Sequence, residues 1–274
     1  GAPMGAGPLA LSPSGPLAQH MGALAEAVRT PALEQTNTAV FFGNRIFLKG
    51  YRRLRTGVNP ELEMGRFLTD VSPFAHIAQV LGAVEHFQPG EAEPATLVVL
   101  QKFVENQGDL WTVVLEHLAR MHSLPAAGAA GARPVEQVAA EFHLNRMALL
   151  GRRVGEMHRA LCHASGDPWF DPEPVGPADV QAWKDGVERD LDATFTLVEQ
   201  ALPTLGEAVR TQVAPLLAQR EGLRRRVRAF ACESPGLAKT RFHGDLHLGQ
   251  VLVAQDDFVI VDFEGEPGRS LEQR

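Results

Sequence analysis

The feature that most constrains this sequence is a short β-pattern near its C-terminal end, with carboxylates on either side. Gln250-Val-Leu-Val-Ala254 and Phe258-Val-Ile-Val-Asp262 are apolar runs rich in β-branched residues, and the polar residues 255–257 between them favour a turn. His243-Gly-Asp245 precedes the first run by one short loop. The pattern predicts a β-hairpin with one carboxylate shortly before its first strand and another at the end of its second.

These residue types match the requirements of phosphoryl transfer, which needs bound phosphates, metal charge placed on them and an acceptor hydroxyl in line. Asp245 can accept or orient the hydroxyl. Gln250 and Asp262 offer oxygen ligands, which suit Mg²⁺. The interval from Asp245 to Gln250 equals that in the H-R-D-x-x-x-x-N loop of protein kinases, and Asp262-Phe-Glu264 follows as D-F-G does. The order and spacing predict an ATP- and Mg²⁺-dependent phosphotransferase.

Two histidines in the same segment allow a second interpretation. His243 and His247 have the i, i+4 spacing of a zinc pair, but that spacing suits zinc only on a helix, and Gly244 disfavours a helix. We therefore expect His243 to brace the loop. His243 and Glu264 also remain candidate substrate contacts.

A second β-pattern occurs near the start of the chain. Thr38-Ala-Val-Phe-Phe42 and Arg45-Ile-Phe-Leu-Lys49 are short β-forming runs, and Gly43-Asn44 between them predicts a two-residue hairpin turn. A helix starting at Pro60 is expected next, followed by strands at 79–87 and 96–104. This part of the chain is therefore predicted to form a small sheet with one helix packed on it.

The predicted sheet offers candidate nucleotide contacts. Lys49, at the end of a strand, can reach the α- and β-phosphates if a carboxylate from the next helix holds it. Glu63 is the expected partner and Glu61 the alternative, on a different face. At the edge of the sheet, Gln101 to Val104 is the natural place for backbone contacts to adenine.

The loop that would cover the phosphates is less clear, because the sequence has no G-x-G-x-x-G. Thr36, Asn37 and Thr38 are the available substitute through their hydroxyl, amide and backbone groups. Polar residues that merely precede a strand are the alternative interpretation. Asp109, beside the expected cleft, is a candidate ribose or acceptor contact, although a helix cap explains it better.

From residue 106 onward the pattern is mainly helical. Helices are predicted from Asp109 to Met121 and from Val135 to His163, and a long antiparallel pair from Ala178 to Leu202 and Leu205 to Ala231. The expected fold is α+β, bilobal and protein-kinase-like. A flexible segment, 1–20, precedes a β-rich N-lobe, 21–105, that opens with a short helix at 21–28. A mainly helical C-lobe, 106–274, carries the catalytic hairpin.

Composition excludes several other classes of protein. The formal net charge is -7, which disfavours nucleic-acid binding, and Arg224-Arg-Arg226 is expected to be a solvated helix face. Two cysteines, Cys162 and Cys232, do not make a disulfide framework and favour reduced thiols in a cytoplasmic protein. No run approaches the roughly 20 apolar residues of a membrane span.

The sequence resembles maltokinase, a bacterial enzyme related to aminoglycoside and choline phosphotransferases and often fused to trehalose synthase. The resemblance rests on these stretches: Gln35–Thr38, Leu48–Arg53, Gly57–Glu63, Asn106–Asp109, His243–Gln250 and Asp262–Pro267. It implies transfer of the ATP γ-phosphate to maltose, giving maltose 1-phosphate.

The same resemblance implies roles for single residues. Asp245 would be the catalytic base, Gln250 and Asp262 the Mg²⁺ ligands, and Lys49 the phosphate-binding lysine with Glu63 as its partner. Family members continue with helices that shape the sugar pocket, so the resemblance implies a C-lobe shortened at Arg274. A related small-molecule kinase and a noncatalytic nucleotide-binding domain of a trehalose synthase fusion are the alternatives.

Overall fold

The structure, a computed structural model, describes residues 8–31, 37–91, 93–123, 135–232 and 236–265. Its strands are β1 Leu9–Pro13, β2 Val28–Arg29, β3 Thr38–Phe42, β4 Ile46–Gly50, β5 Val80–His86, β6 Ala95–Lys102, β7 Glu173–Pro174, β8 Ala238–Lys239, β9 Val251–Ala254 and β10 Asp257–Ile260. Its α-helices are α1 Leu17–His20, α2 Pro60–Arg66, α3 Leu110–Ser123, α4 Val135–Leu161, α5 Pro177–Ala201, α6 Glu207–Ala218 and α7 Arg220–Ala229. The chain divides into two compact units, one of residues 1–171 with 241–274 and one of residues 172–240.

The first unit is built on a six-stranded antiparallel sheet in the order β1-β5-β6-β4-β3-β2. The hairpin predicted between β3 and β4 is confirmed, but Phe42 pairs with Ile46, so the connection has three residues and not two. Gly43 in that connection has a φ of 53°, which a residue without Cβ adopts at low cost. The observed elements agree with the predicted α+β class.

One part of the predicted flexible segment is ordered. β1 and α1 lie within residues 1–20, and β1 pairs along its whole length with β5 at the edge of the sheet. The Pro- and Gly-rich composition suggested a linker, yet backbone pairing at a sheet edge needs no particular side chains. The short helix expected at 21–28 is instead a 3₁₀ turn, Met21–Ala25, followed by β2.

Helix α2 packs against the sheet through its apolar side. Asn59 caps it by accepting from the Leu62 N–H at 3.0 Å, and Pro60 occupies its first turn. Leu62 is buried against Val80, Ala83 and Val99 of β5 and β6. Burial of such a side chain stabilises the fold by about 1.5–3 kcal/mol. Beyond Arg66 the helix continues as a π-helical turn, Phe67–Val71.

The closeness of α2 to β5 depends on Gly65. A Cβ at that position would overlap Val80 Cγ2, since the helix backbone lies directly on the strand. We expect Gly65→Ala to lower the free energy of unfolding by about 1–3 kcal/mol through overpacking. Gly155→Ala is the control, because Gly155 is an exposed glycine in α4 with no atom near its Cβ direction. Alanine should stabilise there by up to about 1 kcal/mol. Chemical denaturation measures both, and equal shifts would contradict the packing argument.

The hairpin predicted from the C-terminal pattern is confirmed as β9 and β10. Val251, Val253 and Phe258 are buried against Leu110 of α3. Arg153 of α4 donates two hydrogen bonds to Asp257, from Nε to Oδ1 at 2.8 Å and from Nη2 to Oδ2 at 2.6 Å. Apolar packing and a bidentate ion pair therefore fix the hairpin against both helices.

The second unit contains the predicted long helices. α5 follows the predicted bounds closely, but the helix expected from Leu205 to Ala231 is interrupted at Gln219, which separates α6 from α7. Arg228 pairs with Glu188, and Arg224 with Asp192, so α7 runs antiparallel to α5. No helix in the described part of the chain is long and apolar enough to cross a membrane.

Candidate active site

A cavity of about 930 Å³ lies where β3, β4 and β6 face the β9–β10 hairpin and the residues on either side of it. Its lining includes most of the residues that the sequence singled out: Asn37, Thr38, Lys49, Gln101, Val104, Asp245, Gln250, Asp262 and Glu264. Glu63, Asp109 and His243 do not line it. Thr36 and residues 266–267 lie outside the described residues.

Lys49 is the charged centre of this cavity. Its Nζ donates to Glu61 Oε2 at 2.7 Å and to Asp262 Oδ1 at 2.9 Å, and lies 2.5 Å from Glu264 Oε1. Burial disfavours the charged ammonium, but the three carboxylates outweigh burial and raise the pKa of Lys49 above its ordinary value. The lysine is therefore a fixed positive charge between α2 and the end of the hairpin.

The partner of Lys49 on α2 is Glu61, so the expectation of Glu63 is wrong. Glu61 and Glu63 are two positions apart in the sequence, which separates them by about 200° around the helix axis. Only one of the two carboxylates can therefore face the sheet. Glu61 is buried and also accepts from Tyr51 Oη at 2.7 Å and from Gln101 Nε2 at 3.1 Å. Burial raises the pKa of Glu61, and the charge of Lys49 with the hydrogen bonds from Lys49 and Tyr51 opposes that rise. Glu63 instead pairs with Arg241 at 2.9 Å.

This geometry predicts unequal effects for two matched substitutions on α2. Glu61→Gln removes the charge that holds Lys49 and should weaken ATP binding about tenfold or more, since Lys49 then loses its buried anchor. Glu63→Gln breaks only the pair with Arg241 and should change ATP binding less than threefold. Calorimetric titration of both variants tests this, and a larger loss in Glu63→Gln would reverse the assignment.

The open end of the hairpin, where Gln250 precedes β9 and Asp262 follows β10, has residues that suit a Mg²⁺ site. Gln250 Nε2 donates to Asp262 Oδ2 at 3.0 Å, so the two predicted ligands are adjacent. Carboxylate oxygens of Glu61, Asp262 and Glu264 lie within 4.8 Å of one another. Asp262 has a φ of 67°, a left-handed conformation that Asp and Asn adopt more readily than most residues. Lys49 Nζ contacts all three of these carboxylates, so the oxygens left for Mg²⁺, which takes few protein ligands, are those of Asp262 and Gln250.

His243 supports the loop that carries Asp245. Its Nε2 is 2.9 Å from the Val261 carbonyl, its Nδ1 is 3.4 Å from the Asp245 backbone N, and its ring lies on Phe263. Burial lowers the pKa of His243 and favours the neutral ring. A neutral ring can then donate from Nε2 to the carbonyl and accept at Nδ1. The side chain of Asp245 lines the cavity and has no hydrogen-bond partner among the described residues.

Asp109 caps α3 and does not line the cavity. Its Oδ1 accepts from the Thr112 N–H at 2.9 Å, and its Oδ2 from Thr112 Oγ1 at 3.0 Å. The hydrogen bond from the Thr112 backbone, more than any other contact, lowers the pKa of Asp109. The cap interpretation of Asp109 is confirmed.

Aromatic side chains that the sequence analysis did not single out line the other end of the cavity. Phe41 and Phe47 are cross-strand partners with ring centroids 5.3 Å apart, and Phe103 meets Phe41 edge-on at 5.7 Å. The predicted two-residue turn would pair Phe41 with Ile46, so this aromatic pair depends on the observed three-residue connection, which places Phe41 and Phe47 together on one face of the sheet. Val104 lies beside them, and its carbonyl accepts from Asn106 Nδ2 at 2.8 Å. This end offers an apolar aromatic surface next to the backbone of Val104.

Three further predicted contacts, Gln101, Asn37 and Thr38, are engaged within the protein. The Gln101 side chain holds Glu61, and its backbone lies inside the β4-β6-β5 ladder. Asn37 Nδ2 donates to Glu264 Oε1 at 3.1 Å, and Thr38 Oγ1 accepts from Arg52 Nε at 3.3 Å. Asn37 thus joins the segment before β3 to the segment after β10.

A sheet lysine held by a helix carboxylate, opposite a hairpin with an aspartate on either side, is the arrangement of the kinase-like fold. The chain has that fold. It superimposes on a glucosamine kinase in complex with glucosamine, ADP and inorganic phosphate with a TM-score of 0.65 and 21% identity, over 98% of this chain and 56% of the other. A second crystal form of glucosamine kinase gives a TM-score of 0.64, 21% identity, and coverage of 97% and 55%.

Two curated relatives have the same name. The chain is 26% identical over 254 residues to the glucosamine kinase of Mycolicibacterium smegmatis, covering 91% of this chain and 55% of that protein. It is 25% identical over 251 residues to the glucosamine kinase of Streptacidiphilus jiangxiensis, covering 88% and 49%. The chain thus spans about half the length of these relatives. No model of a known protein family matches it.

Proposed function

We propose that this protein is an ATP- and Mg²⁺-dependent phosphotransferase that acts on a hydroxyl group of a sugar. The observation that carries the proposal is Lys49, held at Asp262 and Glu264 in the same cavity that Asp245 and Gln250 line. Phosphoryl transfer relies on positioning and charge, and these residues supply both.

Each residue has a defined task in this proposal. The aromatic end, with the backbone around Val104, receives adenine, and Lys49 contacts the phosphates. Gln250 and Asp262 would hold Mg²⁺, which neutralises charge on the transferred phosphoryl group. Asp245, whose carboxylate has no partner among the described residues, orients the acceptor hydroxyl and takes its proton. Glu61 and His243 act by positioning Lys49 and the Asp245 loop.

Two sugars are the leading acceptors. Glucosamine is favoured because the two curated relatives described above are glucosamine kinases and align with about nine-tenths of this chain. Maltose is the second candidate and rests on the resemblance of the sequence motifs to maltokinase alone. The comparisons support neither maltose nor an association with trehalose synthase, so glucosamine is the acceptor that we propose.

A panel of acceptors tests the proposal. The protein would be incubated with ATP and Mg²⁺ and with glucosamine, maltose, glucose, trehalose or an aminoglycoside, and the phosphorylated product identified by mass. We expect the largest kcat/KM with glucosamine. Preference for maltose would move the assignment to the second candidate, and preference for an aminoglycoside would contradict a sugar kinase. ATP binding without turnover on any acceptor would favour a noncatalytic nucleotide-binding domain.

A further inference from the structure

A short segment between β4 and α2 is fixed at both of its ends. On one side, the Tyr51 N–H donates to the Leu97 carbonyl at 2.9 Å. On the other, the Gly57 N–H donates to the Pro94 carbonyl at 3.1 Å, and Thr56 forms a bridge with Ala95. Residues 52–55 therefore project from the sheet between two anchored points, beside the cavity that contains Lys49.

Alternate residues of this segment face the cavity. Arg53, Arg55 and Gly57 line it, whereas Arg52 and Leu54 do not. This is the alternation of an extended chain, in which successive side chains point to opposite sides. Arg52 is directed instead to Thr38 Oγ1. Within the described ranges, Arg53 and Arg55 have no hydrogen bond or ion pair with any protein group. Two arginines thus line the cavity without an ion pair to any carboxylate in the described part of the chain.

The charges around them favour a phosphoryl group as their partner. Lys49 already has three carboxylate neighbours, so it cannot supply all the positive charge that a triphosphate requires. The residues expected to cover the phosphates in place of a glycine-rich loop are occupied, Asn37 by Glu264 and Thr38 by Arg52. Arginine presents a planar fork of N–H donors that matches two phosphate oxygens.

We propose that Arg53 and Arg55 form a clamp for the γ-phosphoryl group of the bound nucleotide. The clamp takes the place of a glycine-rich loop. Its side-chain donors come from the segment between β4 and α2. This inference rests on the proposed function, because it requires a nucleoside triphosphate in the cavity. A phosphorylated sugar carries the same chemical group and is the competing source.

The test compares a triphosphate with a diphosphate. Calorimetry in the presence of Mg²⁺ would measure the affinity for ADP and for the non-hydrolysable ATP analogue AMP-PNP. The variants are Arg53→Gln combined with Arg55→Gln, and Arg52→Gln as the matched control outside the cavity. We expect the double variant to lose about tenfold or more of its affinity for AMP-PNP and less than threefold for ADP. Arg52→Gln should change both affinities less than threefold.

The remaining outcomes separate this inference from the proposed function. Unchanged AMP-PNP binding in the double variant, or equal losses for ADP and AMP-PNP, would overturn the clamp while leaving a nucleotide site. Loss of binding only for glucose 1-phosphate or glucose 6-phosphate, measured without nucleotide, would assign the arginines to the sugar product and also overturn it. Absence of any nucleotide binding to the unmodified protein would overturn the proposed function, and the clamp with it.

Discussion

Replacing Asp245 with asparagine is expected to lower kcat by a factor on the order of 10²–10⁴ while leaving ATP affinity largely unchanged. This fall in kcat is the usual contribution of a general base, which asparagine cannot supply because an amide cannot take a proton from the acceptor hydroxyl. The fold should be retained, since the His243 ring contacts the backbone of residue 245 and not its side chain. Steady-state kinetics with ATP and the preferred sugar, together with calorimetric ATP binding, measure both quantities.

Asp256→Asn is the matched control for this substitution. Asp256 is an exposed aspartate in the turn between β9 and β10 and does not line the cavity. Its loss should leave kcat and ATP affinity within a factor of two of the unmodified protein. Near-normal kcat in Asp245→Asn would remove Asp245 from the role of base. An equal fall in both variants would show that a general disturbance of the hairpin, and not the chemistry, was responsible.

Asp262→Asn is expected to remove most of the effect of Mg²⁺ on nucleotide binding and to lower kcat at least a hundredfold. The substitution tests the charge specifically, because asparagine tolerates the left-handed backbone at this position and can still accept a hydrogen bond from Lys49. What it loses is the negative charge that a divalent cation requires. Calorimetry of ADP with and without Mg²⁺ gives the ratio of affinities, which should approach one in the variant.

Asp245→Asn provides the comparison for that ratio. Asp245 is assigned to the acceptor hydroxyl, so its asparagine variant should keep the stimulation of ADP binding by Mg²⁺ even though its kcat is low. If Asp262→Asn retains the full stimulation, the cation is held by other groups. If both variants lose it equally, Asp245 also contributes to the cation site.

The catalytic hairpin was the most predictable part of the molecule. Its two strands are short, local in sequence and strongly apolar, so the predicted runs 250–254 and 258–262 lie within two residues of the observed strands Val251–Ala254 and Asp257–Ile260. The sheet lysine was predictable for the same reason. The choice between Glu61 and Glu63 was not, because it depends on the rotation of α2 about its axis, and Gly65 with Leu62 sets that rotation through packing on β5.

Other incorrect predictions also concern features that depend on contacts between distant parts of the chain. β1 looked like a linker, because its strand character comes from pairing with β5, a segment about 70 residues away. The break between α6 and α7 at Gln219 has no strong local signal in the sequence. Arg53 was noted only as the last residue of the motif Leu48–Arg53, and Arg55 was not noted. That both arginines face the cavity depends on the tertiary structure, because the hydrogen bonds of Tyr51 and Gly57 fix the segment that contains them.

The central claim is that this cavity binds a Mg²⁺–nucleotide for phosphoryl transfer, and a crystal structure with AMP-PNP and Mg²⁺ tests it most directly. The account predicts adenine among Phe41, Phe47 and Phe103, phosphates at Lys49, and the cation on Gln250 and Asp262. Nucleotide bound elsewhere on the chain, with this cavity empty at saturating AMP-PNP, would contradict it.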